Sequence, residues 1–200
     1  MIYPNAAAGL KTVYQSQIVG LIASVLLFIP FINILAAAAL LVVFVLYMVD
    51  LNQCAKQDDG YRTAFTLVII NLVVNLLGNF IPGAISTILS LVGDVLTLAT
   101  LYFVCITTNR LLENLRAPQS TIDRGVVVWK INVICTIVAV VCTLLSMIPV
   151  VSLQLLASIM MLIATIAQLV GCILYMLFLR DAYRIMESVI PPEEQVQQMM

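Results

Sequence analysis

Six long apolar segments, separated by short polar or proline-containing connections, dominate the pattern of the chain. The segments cover about residues 13–29, 32–49, 64–80, 84–105, 126–148 and 153–179. Each approaches or exceeds the ~20 residues that a helix needs to cross the ~30 Å hydrocarbon core of a bilayer. A backbone in lipid must satisfy its own amides, and no segment alternates like a barrel strand. The pattern therefore predicts an all-α integral membrane bundle of six transmembrane helices.

The composition agrees with a chain that lies mostly in lipid. Of its 200 residues, 63% are hydrophobic and 10% are charged, and the mean hydropathy is +1.14. A soluble domain is about half apolar and a quarter charged, so the lipid bilayer is the first predicted partner. The net charge of −1 leaves no basic surface to neutralise phosphates, which excludes a nucleic-acid-binding protein.

The basic residues mark one end of the predicted helices. All nine Lys and Arg lie in or beside the connections at that end, namely Lys11, Lys56, Arg62, Arg110, Arg116, Arg124, Lys130, Arg180 and Arg184. The opposite turns, around Pro30, Pro82 and Pro149, carry no charge. Because cytoplasmic loops are enriched in Lys and Arg, both termini are predicted to be cytoplasmic (N-in/C-in), with three tight outward turns. The compact loops favour a bacterial inner (plasma) membrane, and residues 191–200 are predicted to be a disordered cytoplasmic tail.

The six segments also form a pattern of three repeated hairpins, of about residues 10–59, 60–122 and 123–190. A proline follows 19 or 20 residues after the basic residue that opens each odd segment: Lys11, Arg62 or Lys130. Positions 6, 9, 13 and 16 residues after each basic residue share one helical face and are mostly small or polar. These odd-helix stripes are Gln17, Gly20, Ser24 and Leu27; Val68, Asn71, Asn75 and Gly78; and Thr136, Ala139, Thr143 and Ser146. With pseudo-threefold packing, the stripes would face a common axis rather than lipid.

Two segments are predicted to continue as polar helices into the cytoplasm. Arg110 and Glu113 follow the fourth segment, and Arg184 and Glu187 follow the sixth, with i,i+3 spacing and a proline beyond. We expect an Arg–Glu pair within each extension, whereas the first hairpin is expected to enter a loop directly. The extensions and residues 54–62 are the largest polar surface. They are either a docking place for a cytoplasmic or membrane protein partner, or solvated helix ends.

Asp94 is the only ionisable residue deep within an apolar segment. It lies near the middle of the fourth segment, where a charged Asp costs ~2.5–3.5 kcal/mol on insertion scales. Ser90 and Thr97 share its helical face, and Asn71 lies at a similar depth on the preceding helix. We expect the Asn71 amide to contact the Asp94 carboxyl. The acid is either a proton or cation site between helices, or a protonated group that joins two helices by hydrogen bonds.

Three asparagines four residues apart, Asn71, Asn75 and Asn79, form a polar stripe on the third segment. Such a stripe either lines a polar pathway or bonds a neighbouring helix, the latter worth about 0.6–2 kcal/mol per residue in lipid. Gln168 is the only strongly polar residue in the middle of the sixth segment. The predicted substrate or ion pathway consists of Asp94, Asn71, Asn75, Ser90 and Thr97.

The sequence contains no histidine, P-loop, Gly-rich dinucleotide loop, GxSxG motif or Cys/His metal spacing. It therefore predicts no enzyme activity, no cofactor and no metal site. Two function classes remain. The first is a transporter or channel-like protein for a small solute, an ion or a proton, with a midplane site at Asp94. The second is a non-catalytic scaffold or accessory subunit that docks partners through its cytoplasmic helix ends. A hydrated cavity that reaches Asp94 would favour the first class, and a tightly packed interior the second.

Overall fold

The computed structural model describes residues 3–26, 29, 32–81, 83–146 and 151–189. In this part of the chain every regular element is an α-helix, which confirms the predicted all-α class. The helices are α1 (Pro4–Leu26), α2 (Asn33–Cys54), α3 (Asp59–Phe80), α4 (Ala84–Asn114), α5 (Gln119–Ser146) and α6 (Val151–Ser188). Leu27, the turn prolines Pro30, Pro82 and Pro149, and the predicted tail 191–200 lie outside the described residues.

Five helices, α2 to α6, are long and apolar enough to cross a membrane. The described part of α1 is not among them, because it contains Lys11 and the polar residues Gln15, Ser16 and Gln17. The fold is therefore that of a multi-pass membrane protein with several apolar helices. A sixth span through α1 stays a prediction.

The helices form a closed ring in chain order. Each helix packs against the next, α1 packs against α6, and α4 also contacts α6. The most extensive contacts join α1 to α2, α3 to α4 and α5 to α6, so the helical hairpin is the packing unit. Within the described residues the odd helices do not contact one another. This arrangement leaves space in the middle of the ring.

The hydrophobic core lies at one end of the ring, named here the basic end because the Lys and Arg residues are there. Its largest side chains come from several helices and are at most 1% exposed: Leu10, Tyr61, Leu112 and Phe178. The opposite end, named the turn end, carries the three short connections. Buried residues toward the turn end are small, and include Ala23, Ala36, Cys142, Ala157 and Ala164. The helices are thus packed by large side chains at the basic end and paired through small ones toward the turn end.

Ion pairs between different elements take the place of those expected within the helical extensions. Both α4 and α6 continue as helices beyond their apolar segments, as predicted. However, Arg110 pairs with Asp58 in the connection before α3, and Lys11 of α1 pairs with Glu187 of α6. The expected Arg–Glu pairs within each extension were wrong. The ring brings acids from other elements within reach of these cations, which linear spacing cannot show.

The second helix also continues beyond its expected end. It reaches Cys54, and Asp58 then caps α3 by accepting a hydrogen bond from the Gly60 amide at 2.8 Å. The expected loop directly after the second segment was wrong because Leu51 and Cys54 are buried in the core. Burial of these side chains favours one more helical turn over a solvated loop.

Candidate functional site

A cavity of about 430 Å³ occupies the middle of the ring, and all six helices contribute to its wall. Its polar lining residues are Gln17, Asn71, Thr97, Thr100, Asn132 and Gln168. Its apolar and aromatic lining residues are Phe44, Tyr47, Val68, Leu101, Cys172 and Tyr175. Val68 and Tyr175 also belong to the hydrophobic core, so this central cavity lies directly against the packed basic end.

A smaller space of about 120 Å³, named here the Asp94 recess, adjoins the central cavity. Its lining includes Asp94, Leu98, Thr136 and Ala139, which the central cavity does not touch. Four residues line both spaces: Thr97, Leu101, Asn132 and Gln168. The two spaces therefore lie side by side, and together they form one region with both polar and apolar lining residues, bounded by α4, α5 and α6 on the side of the acid.

The half of the odd-helix stripes that is nearer to the basic end (the inner half) faces this region. Five stripe residues line the central cavity or the Asp94 recess: Gln17, Val68, Asn71, Thr136 and Ala139. By contrast, Thr143 and Ser146 line a separate groove against α6, and Ser24 is exposed and donates to the carbonyl of its own helix at Gly20. The common-axis hypothesis therefore fits the inner half of the stripes and not the outer half.

Asp94 is directed toward α5 and α6 rather than toward α3. Its side chain is exposed rather than buried, and it lines the recess together with Asn132 and Gln168. It makes no hydrogen bond or ion pair with any of the described residues. The expected Asn71–Asp94 contact was wrong, because the Asn71 Nδ2 donates instead to the Thr97 Oγ1 at 2.9 Å. Thr97 lies three residues after Asp94 in α4, on the side of the helix that is nearer to α3.

Asn71 and Asn75 pack α3 against α4. The Asn75 Nδ2 donates to the Asn71 backbone oxygen at 2.9 Å and to its Oδ1 at 2.7 Å. Both amides lie over Gly93, where an added Cβ would be 3.1 Å from the Asn71 Oδ1. Glycine at this position lets the two helices approach closely. Of the predicted pathway residues, Asp94, Thr97 and Asn71 line the spaces described above, whereas Asn75 and Ser90 do not.

Three further amides, Gln17, Asn132 and Gln168, complete the polar wall and were not among the predicted pathway residues. Each is a strongly polar residue within or beside an apolar segment, and that signal was available in the sequence. Tyr47 and Tyr175 were missed for another reason. Tyrosine near the end of a span is typical of the membrane–water interface, and the sequence does not show whether the ring faces lipid or the interior.

Tyr175 is of special interest among the lining residues. Its side chain is 6% exposed, and its hydroxyl is buried without a hydrogen-bond partner among the described residues. The Tyr47 side chain lies near enough for an electrostatic interaction, but no hydrogen bond of normal geometry joins the two hydroxyls. Buried polar groups are usually satisfied, so a polar group with spare bonding capacity lies at the wall of the cavity.

Asp50 is a second buried acid, which the apolar pattern did not reveal. It is 6% exposed, and its Oδ2 has no hydrogen-bond partner among the described residues. Here α2 packs closely on α1, since a Cβ added at Gly9 would be 2.9 Å from the Asp50 backbone oxygen. The residue directly follows the second apolar segment, where a charge is typical of a solvated helix end. Asp50 lines neither the central cavity nor the Asp94 recess.

The ion pairs of the basic end lie apart from the cavity and close the ring there. The Lys11 Nζ donates to the Glu187 Oε1 at 2.9 Å, and this hydrogen bond, with the charge of Glu187, raises the pKa of Lys11 above its usual value. Arg124 of α5 pairs with Asp181 of α6. Both neighbours of α6 in the ring are therefore joined to it by opposite charges.

The chain matches no family model, no curated protein and no solved structure. Among the described residues no group of three His, Cys, Asp or Glu is placed to hold a metal ion. The arrangement provides a space for a small solute, bounded by one carboxyl group, several neutral hydrogen-bonding groups and an aromatic wall.

Proposed function

We propose that this protein is a membrane transporter for a small solute or ion, and that its binding site is the central cavity together with the Asp94 recess. The observation that carries the proposal is a cavity lined by all six helices and adjoined by an acid that has no partner among the described residues. Small-molecule sites typically have volumes of ~300–1,000 Å³, and the central cavity has about 430 Å³. Ionisable residues within membrane helices commonly belong to substrate or ion pathways.

The proposal includes six membrane-spanning helices in three related hairpins, with both termini in the cytoplasm of a bacterium. The concentration of all nine basic residues at the basic end supports this orientation. The closer packing within each hairpin than between hairpins supports a repeated unit. In this arrangement the turn end faces outward and the ion-paired basic end faces the cytoplasm.

A purely structural role for Asp94 has less support than a role toward the solute. An acid that joins helices in lipid does so through hydrogen bonds, and Asp94 makes none with the described residues. A charged Asp at this depth costs ~2.5–3.5 kcal/mol to insert, and no hydrogen bond or ion pair with the described residues compensates that cost. A bound proton or cation would provide that compensation.

Access to the cavity is proposed to alternate between the two ends. Toward the turn end, small residues pair the helices without a core of large side chains. At the basic end, the core and two ion pairs, Lys11–Glu187 and Arg124–Asp181, close the ring. Because α6 takes part in both pairs, opening toward the basic end would require α6 to move relative to α1 and α5.

A proton-sensitive flux assay in liposomes over a range of pH tests the proposal. The wild-type chain is compared with Asp94→Asn, and Asp123→Asn is the matched control because Asp123 is exposed near the start of α5. We expect pH-dependent flux in the wild type and the control, and loss of flux in Asp94→Asn while the variant remains folded. No flux in any of the three, with the stability of Asp94→Asn unchanged or improved, would contradict the proposal.

A scaffold or accessory subunit is the second candidate, and one observation favours it. A groove of about 500 Å³ lies at the basic end, lined by Asn52, Ala55, Lys56, Arg62, Phe65 and Thr66. It coincides with the connection predicted as a docking place for a protein partner. If this is the functional surface, substitution of Lys56 and Arg62 by Ala will disrupt a complex isolated from the native membrane, and Asp94→Asn will leave it intact.

A further inference from the structure

We infer that the central cavity binds a small organic cation, an amine or quaternary ammonium with a compact apolar body. Its charge would lie against the Asp94 carboxylate and its body against the aromatic wall. This inference rests on the proposed function for the location of the site, but binding is measurable without transport. Charge, wall chemistry and size each support it.

The charge of the site is unbalanced. Asp94 is the only charged residue among the described residues that line the two spaces. Its lining neighbours are neutral: Thr97, Asn132, Thr136 and Gln168. With an anion or a neutral solute the carboxyl would have to bind a proton to be neutral, whereas an organic cation would pair with its ionised form. The site therefore selects for positive charge.

The wall of the central cavity is suited to a cation with an organic body rather than a bare ion. Phe44 and Tyr47 of α2 and Tyr175 of α6 line it, and aromatic rings attract ammonium groups through their negative faces. The buried Tyr175 hydroxyl lies near Tyr47 and makes no hydrogen bond of normal geometry with the described residues, so it has bonding capacity for a hydroxyl or N–H group of the ligand. These groups recognise both the charge and the apolar surface of the same molecule.

The size and ligand chemistry of the site disfavour a divalent metal ion. A cavity of about 430 Å³ is far larger than one ion, and divalent cations such as Ca²⁺ and Mg²⁺ are bound by clustered oxygen ligands with more than one carboxylate in tight sites. No second acid lines either space in the described part of the chain. A molecule of several heavy atoms would fill the cavity better.

Binding to the full chain in nanodiscs, measured by calorimetry, tests the inference. The probes are ammonium, tetramethylammonium, choline and tetraethylammonium, and 3,3-dimethylbutan-1-ol serves as the uncharged isostere of choline. We expect saturable binding of at least one organic cation and at least about tenfold weaker binding of the isostere. Asp94→Asn should weaken cation binding by about tenfold or more, whereas Asp94→Glu should retain it, and Asp123→Asn should have no effect.

A second variant checks the aromatic wall. Tyr47→Leu keeps an apolar side chain at the wall but removes the ring face, and it should weaken the binding of the organic cation several-fold without changing its dependence on Asp94. Equal binding of choline and its isostere, equal binding to the wild type and Asp94→Asn, or no saturable binding of any cation would each overturn the inference.

The binding and flux assays also separate the two proposals. Cation binding that depends on Asp94, without any flux in liposomes, would support the inference and overturn transport. Flux of an uncharged solute through the same cavity, without cation binding, would support transport and overturn the inference.

Discussion

The two ends of this bundle are held together by different means. At the basic end, large side chains such as Tyr61 and Phe178 are fully buried, and ion pairs join helices that are distant in sequence. Toward the turn end the buried residues are mainly Ala and Cys, and large side chains such as Ile34 and Leu35 are 81% and 72% exposed. In a bilayer those exposed side chains would contact lipid, whose tails are as apolar as leucine.

This difference shows where the structure can be opened at low cost. Separating the ring at the basic end would expose a core of large side chains and break ion pairs. Toward the turn end, only small contact surfaces between hairpins would be lost. The central cavity lies between these regions, since Val68 and Tyr175 belong to both its wall and the core. A firmly packed end beside a loosely packed end favours a site that opens more readily toward the turn end than toward the basic end.

The largest expected effect compares one phenylalanine from each end. Phe178→Ala removes a fully buried ring at the basic end and should lower the free energy of unfolding by ~3–5 kcal/mol. Phe80→Ala, at the last residue of α3, removes a ring that is 81% exposed and should cost less than ~1 kcal/mol. Reversible unfolding in detergent measures both. Equal losses would show that the core is not confined to the basic end.

An intermediate effect is expected from the buried acid of the basic end. Leucine has the same branching as aspartate, so Asp50→Leu replaces a carboxyl, whose Oδ2 has no hydrogen-bond partner among the described residues, by an apolar group of similar shape. We expect a gain of ~1–3 kcal/mol in the free energy of unfolding, since an unsatisfied buried polar group costs about that much. The matched control, Asp123→Leu, lies at an exposed site of the same end and should give no gain. A loss of stability in Asp50→Leu would mean that the interaction of this carboxyl with Thr12 outweighs the cost of its unsatisfied Oδ2.

The smallest effect is expected from the exposed ion pair that joins α1 to α6. Glu187 raises the pKa of Lys11 above its usual value of 10.5, so the pair stabilises the fold fully below that pH. Its contribution is lost as the pH rises through the raised pKa. Lys11→Met should therefore lower the melting temperature slightly at pH 7 and low salt, and the difference should disappear at strongly alkaline pH.

The control for this pair is Lys56→Met, because Lys56 is exposed and makes no ion pair in the described part of the chain. Added salt should reduce the effect of Lys11→Met at pH 7, since exposed pairs are screened. A pH-independent difference between the wild type and Lys11→Met would assign the effect to packing of the lysine stem rather than to its charge.

Much of the candidate site could be found in the sequence, but not its internal contacts. Asp94, Thr97 and Asn71 were predicted, and all three line the central region. The predicted Asn71–Asp94 contact was wrong because it depends on how α3 and α4 are rotated about their axes. Successive residues of a helix are about 100° apart around its axis, so a rotation of α4 by that angle would bring a neighbour of Asp94 to face Asn71 in its place. Tyr47 and Tyr175 were missed because a tyrosine near the end of a span gives the same sequence pattern whether its ring lies at the membrane–water interface or lines a cavity.

The sequence by itself determined the elements of this protein: an all-helical chain with long apolar helices, connected by short turns at one end and charged connections at the other. Those properties depend on chain length, hydropathy and the need to satisfy the backbone in lipid. Only the tertiary structure decided which faces meet, that the core is at the basic end, that Asp50 is buried and that Asp94 borders a cavity. Because lipid and protein interior are both apolar, hydropathy does not distinguish a lipid-facing side from a packed one, and helix rotation is decided by the fit of side chains between neighbours.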